Sequence, residues 1–121
     1  MKTILVVDDD ADIAESVTEL LVGEGYRVVS ATDTNDAFAQ VEKEIPDLVL
    51  TDSIMPLTDG PGFVQRVHAL PEFRSLPVVV MSGSPESLAI AVKTLGVAAV
   101  LQKPFGLDEL IATMERLIGK V

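Results

Sequence analysis

Two hydrophobic patterns alternate along the chain. Short unbroken aliphatic runs occur at Ile4–Val7, Leu48–Leu50, Val78–Met81 and Val97–Leu101, with a weaker one at Val28 and Val29, each bounded by Gly, Pro, Asp or Ser. Runs without polar alternation suit strands covered on both faces, as in a parallel sheet. Between them lie stripes spaced i, i+3, i+4: Ile13, Val17, Leu20 and Leu21; Phe38, Val41 and Ile45; Phe63, Val64 and Val67; Leu88, Ala91, Val92 and Leu95; and Leu107, Leu110, Ile111, Met114, Leu117 and Ile118. Each stripe is the buried side of a helix laid on a core. Gly23 and Gly25 follow the first stripe and Gly96 the fourth, Pro61 falls in the first turn of the third, and Ser84 or Pro85 opens the fourth. These are ordinary helix stop and start signals. Five strand–helix units in strict alternation predict an α/β fold, a doubly wound five-stranded parallel sheet.

At 121 residues the chain is expected to form a single domain over residues 1–121, large enough to hide about two thirds of its unfolded surface without staples. Cysteine is absent, which removes disulfides and thiolate metal sites. Nineteen acids against nine Lys plus Arg leave a net charge of −10, repelling nucleic acid and anionic lipid from most of the surface. Only four aliphatic residues precede the first acids, too few for a signal-peptide core or a membrane span. A cytoplasmic protein with no nucleic-acid or membrane partner is expected.

Charge changes the picture at the strand ends. Val6 to Asp12 reads VVDDDAD, four carboxylates in five positions directly after the first strand. In a doubly wound sheet, ligands sit outside the carboxyl ends of the strands where the winding reverses. With strand order 2-1-3-4-5, Asp8 and Asp9 after the first strand meet Asp52 at the end of the third. Two like charges about 4 Å apart repel by roughly 1 kcal/mol in water and about 4 kcal/mol at an effective dielectric near 20. A hard divalent cation relieves that repulsion, and an all-oxygen carboxylate site suits Mg²⁺, or Mn²⁺ in its place. Asp10 and Asp12 are better read as capping the first helix, whose N-terminus favours acids.

Two further stretches bring chemistry to the same edge. Asp52-Ser53-Ile54-Met55-Pro56-Leu57-Thr58-Asp59-Gly60 follows a strand-end carboxylate with a Pro turn and an Asp-Gly able to cap the third helix. Carboxylates of this kind form acyl phosphates in phosphoryl transfer, although a strand-ending Asp also commonly makes an Asx-turn. Ser82-Gly83 ends the fourth strand with a hydroxyl, and Lys103-Pro104-Phe105 follows the fifth with a cation. A hydroxyl and an ammonium beside three acids would supply donors to a bound phosphoryl group.

From Ile4 to Ile118 the sequence resembles the receiver domain of two-component response regulators. The resemblance rests on Asp8-Asp9, on Asp52…Pro56…Asp59-Gly60, on Ser82-Gly83 and on Lys103-Pro104-Phe105, in that order at successive strand ends. It implies a flavodoxin-like (βα)5 fold, with Asp52 as phosphoacceptor and with Asp9, Asp52 and the backbone carbonyl of Ile54 binding Mg²⁺, while Asp8 acts mainly through bound water. It further implies that Ser82 and Lys103 hold the phosphoryl oxygens and that Lys103–Pro104 is a cis peptide. The implied phosphate source is a sensor histidine kinase, a phosphotransfer protein or a small acyl phosphate. The implied output to a downstream protein runs through the fourth helix, fifth strand and fifth helix, in a monomer or weak dimer.

Departures bear on the switch rather than the chemistry. Ser82 stands where receivers usually carry Thr, which keeps the hydroxyl. Gly83 replaces a common Ala. Val100 occupies the position of a Tyr or Phe that swings inward on phosphorylation, and a valine cannot make that change. A pseudo-receiver acting as a phosphorylation-independent docking module is therefore an alternative. A haloacid-dehalogenase-class phosphatase would use Asp8-x-Asp10 but needs a longer chain and a cap. A flavodoxin-like FMN carrier would need a first loop that welcomes a phosphate rather than repelling one. On the fourth helix Ala89 and Ile90 are expected to face outward beside Lys93, and His68 is expected to lie near the solvated side of the third helix without a functional role.

Overall fold

In the computed structural model, residues 1–52, 60–94 and 96–119 are described, apart from the side chains of residues 60–63, 90 and 94. Strands and helices alternate: β1 (Thr3–Val7), α1 (Ala11–Gly23), β2 (Arg27–Ala31), α2 (Thr34–Lys43), β3 (Leu48–Asp52), α3 (Gly60–Ala69), a 3-10 turn (Pro71–Phe73), β4 (Val78–Ser82), α4 (Pro85–Thr94), β5 (Ala99–Gln102) and α5 (Leu107–Ile118). All strand pairs are parallel, in the order β2-β1-β3-β4-β5. This is the predicted doubly wound sheet.

Continuous apolar strands bury both faces, and successive residues divide between two cores. On one side Leu5, Val7, Val49, Val78 and Val80 pack with Ala37 and Val41 of α2, Val64 and Val67 of α3, and Leu88 and Ala91 of α4. On the other, Ile4, Val6, Leu48, Leu50, Val79, Met81 and Leu101 pack with Ala14, Val17 and Leu21 of α1 and Leu110 and Met114 of α5.

Local chemistry sets the helix starts. Asp10 caps α1, its Oδ1 accepting from the N–H groups of Asp12 at 3.0 Å and Ile13 at 3.3 Å. Asp33 caps α2 in the same way, accepting from Asp36 N–H at 2.7 Å. Gly25 and Gly96 carry the chain out of α1 and α4 at φ 100° and 64°, a region that L side chains enter at a cost.

Four stripe positions differ from expectation, with Leu20, Ile45, Val92 and Leu107 being 40%, 56%, 58% and 40% exposed. α2 stops at Lys43, so Ile45 lies beyond the helical repeat. Val92 sits on a helix that packs over the β4–β5 margin of the sheet, where Leu88 and Ala91 already fill the contact. Leu107 begins α5 and has no preceding turn to cover it. Leu20 flanks a groove described below. Leu95 lies outside the described residues, as do Ile54, Pro56 and Asp59.

Candidate functional site at the carboxyl edge of the sheet

Strand register builds the site before any side chain is considered. Val7 pairs with Thr51, Asp52 with Met81, and Ser82 with Gln102. Asp8 therefore comes level with Asp52, Ser82 is one step beyond them, and Lys103 one step beyond that. The backbone continues the pattern: Asp8 N–H donates to the Ala31 carbonyl at 3.1 Å, and Lys103 N–H to the Ser82 carbonyl at 2.8 Å. Residues up to 95 positions apart thus share one rim.

Asp8, Asp9 and Asp52 each present a carboxylate oxygen within 4.8 Å of the others. Asp8 is fully buried, Asp52 nearly so, and Asp9 is exposed. Both oxygens of Asp8 are engaged, Oδ1 by Asp10 N–H at 2.9 Å and Oδ2 by the Lys103 ammonium at 3.2 Å. The same Lys103 Nζ lies 3.5 Å from Asp52 Oδ2. Sequence reasoning placed Lys103 at this edge but not between the acids, because side-chain direction is not legible in spacing. Burial raises the Asp8 pKa above its ordinary value; the Asp10 N–H and the Lys103 charge oppose that rise, and the Asp52 charge adds to it. A buried carboxyl still drawn toward its neutral form beside two other acids is a site short of positive charge. Three hard oxygen donors at this spacing fit a small divalent cation.

Ser82 is buried, and its Oγ accepts from Ser84 N–H at 3.0 Å. Lys103–Pro104 is cis, as the resemblance implied. Phe105 lies beyond it, in a groove of about 500 Å³ lined by Asp12, Ile13, Ser16, Val17, Leu20, Lys103 and Pro104 as well. This groove was missed by sequence reasoning. Its signals were weak ones, a Leu20 that the α1 stripe over-counts and an aromatic after Pro104. His68 is half-buried, with Nε2 3.0 Å from the Leu76 carbonyl oxygen, and its contact is structural.

The family model described as the response regulator receiver domain matches residues 4–115. This chain belongs to that family. As a receiver it is a signalling module of two-component systems, whose members accept phosphoryl groups, interact with histidine kinases and generally bind Mg²⁺. Response regulator Rre1 of Synechocystis sp. is 34% identical over 98% of this receiver, which spans 52% of that relative's length. Among solved structures, chemotaxis protein CheY4 of Vibrio cholerae superposes with a TM-score of 0.89 at 31% identity, covering 97% of this chain and 98% of that one. The receiver domain of NtrX from Brucella abortus gives 0.88 at 33% identity, covering 95% and 97%. The receiver thus spans about half the length of Rre1 and nearly all of CheY4. Among the described residues, no helix is long and apolar enough to cross a membrane.

Proposed function

We propose that Asp52 is the phosphoacceptor of a cytoplasmic receiver, with residues 1–121 forming one receiver domain. The observation that carries this reading is the Lys103 ammonium lying 3.2 Å from Asp8 and 3.5 Å from Asp52, at the rim where Asp9 joins them. An Asp52 oxygen attacks phosphorus in line. The P–N bond of a phosphohistidine, or the P–O bond of a small acyl phosphate, breaks as the Oδ–P bond forms, and the leaving imidazole or carboxylate keeps the electron pair. Asp9 and Asp52 would hold Mg²⁺ directly, with the carbonyl of Ile54 from outside the described residues, and Mn²⁺ could substitute. The chemistry such a metal would supply is neutralisation of charge on the transferring oxygens. Asp8 serves through bound water, consistent with both its oxygens being taken. Lys103 then turns from the carboxylates to a phosphoryl oxygen, joined by the Ser82 hydroxyl, both as charge-assisted donors.

The groove beside Lys103 fits the protein donor. Its walls are Ile13, Val17, Leu20, Pro104 and Phe105, and Asp12 and the nearby Asp9 add negative charge. An amphipathic helix with basic flanks, from a sensor histidine kinase or phosphotransfer protein, would seat there and carry its phosphohistidine to the rim. Output would leave by α4, β5 and α5 to a downstream protein or a weak dimer partner, with Val92 exposed on that side.

Intact mass tests the central reading. With Mg²⁺ and a small acyl phosphate, the chain should gain one phosphoryl group and Asp52→Asn should not. Wild type that gains no mass would instead support the phosphorylation-independent docking module, the reading that Val100 favours.

A further inference from the structure

Ser82 ends β4 with its carbonyl taken by Lys103 N–H at 2.8 Å and its hydroxyl oxygen accepting from Ser84 N–H at 3.0 Å. Accepting uses a lone pair and leaves the O–H free to donate. Ser84 in turn opens α4: its Oγ accepts from Ser87 N–H at 3.2 Å and its carbonyl from Leu88 N–H at 3.1 Å. A hydroxyl at the rim is therefore tied to the first turn of a helix through one intervening residue. That residue is Gly83, where a Cβ would meet nothing within 4 Å, so packing does not wedge the connection. Val100, half-buried and paired with Val80, has a stiff β-branched side chain and no ring to reorient.

We infer that Ser84 is a positioning residue that transmits phosphoryl occupancy of Asp52 to the first turn of α4, an inference that rests on the phosphoacceptor reading of Asp52. A phosphoryl oxygen accepting from the Ser82 O–H makes a charge-assisted bond, roughly twice as strong as a neutral one. The Ser82 oxygen is then fixed, and Ser84 N–H is held against it. The Ser87 and Leu88 amides, bonded to Ser84, open less often. Leu88 is buried while Ala89 and Val92 face solvent, so ordering this turn also orders an exposed surface. The signal leaves through a helix cap rather than through a rotating ring on β5.

The test follows amide exchange at Ser87 and Leu88 with and without acyl phosphate and Mg²⁺, with intact mass recorded on the same samples. Phosphorylated wild type should exchange about tenfold more slowly at these amides, the scale of one net hydrogen bond. Ser84→Ala, which removes the cap oxygen but keeps the N–H to Ser82, should gain the phosphoryl mass and lose the slowing at Ser87. Ser84→Thr keeps a capping oxygen and should restore it. A purely structural cap would speed exchange equally in both states of Ser84→Ala. That result overturns the inference, as does phosphorylated wild type with unchanged exchange at both amides. Wild type that gains no mass overturns the phosphoacceptor reading, and this inference with it.

Discussion

Asp8 concentrates the conflict in the site, a fully buried carboxyl held between one N–H, one ammonium and a second carboxylate. Its folded pKa lies above the unfolded value, so the metal-free native state binds more protons between the two. Its ionised form therefore destabilises the native state above the folded pKa, and that cost is relieved as pH falls through it toward the ordinary aspartate value of 3.8. Asp8→Asn should accordingly raise the metal-free melting temperature at pH 7 by a few degrees, the scale of about 1 kcal/mol in a domain of this size. The gain over wild type should shrink on acidification, and Mg²⁺ should stabilise the variant less than wild type. Melting in chelator and in Mg²⁺ at several pH values measures both, and a variant less stable than wild type in chelator would contradict the buried-charge account. The five chemical positions, Asp8, Asp9, Asp52, Ser82 and Lys103, were legible because a strand end states where a residue sits. Lys103 bridging two acids, and Ser84 bonding to Ser82, were not, since they depend on where side chains and turns point.

Helices and strands were legible to the extent that burial follows period. All five strands and five helices fall where aliphatic runs and stripes put them, and the misplaced residues are those whose burial depends on a neighbour or on where an element stops, as Val92 and Ile45 do. The difference is measurable by urea unfolding. Leu110→Ala, at a fully buried position of α5, should cost about 2–5 kcal/mol through lost burial and a residual cavity. Val92→Ala should stay within about 0.5 kcal/mol. Comparable costs would mean that α4 packs differently. Capping gives an independent check: Asp10→Ala removes the acceptor for Asp12 and Ile13 N–H and should cost about 1 kcal/mol, whereas an unchanged midpoint would show that water replaces it freely.

Across the whole molecule, a net charge of −10 surrounds an apolar groove that ends at Lys103, and no linear pattern announces that groove because α1 and the β5–α5 connection create it jointly. If a donor helix docks there, Leu20→Asp should lower the rate of transfer from a protein phosphohistidine at least about tenfold more than the rate of uptake from acyl phosphate, the effect of one charge placed in a desolvated contact. Equal losses from both donors would place the docking surface elsewhere. The parallel registration of β1, β3, β4 and β5 has one more consequence. Because alternate residues of each strand serve opposite cores, deleting Val49 would turn the neighbouring side chains inside out and carry the strand-end aspartate off the rim in the same stroke. Strand length is the ruler shared by folding and signalling, so a chain shortened there should lose its cooperative melt together with its phosphorus.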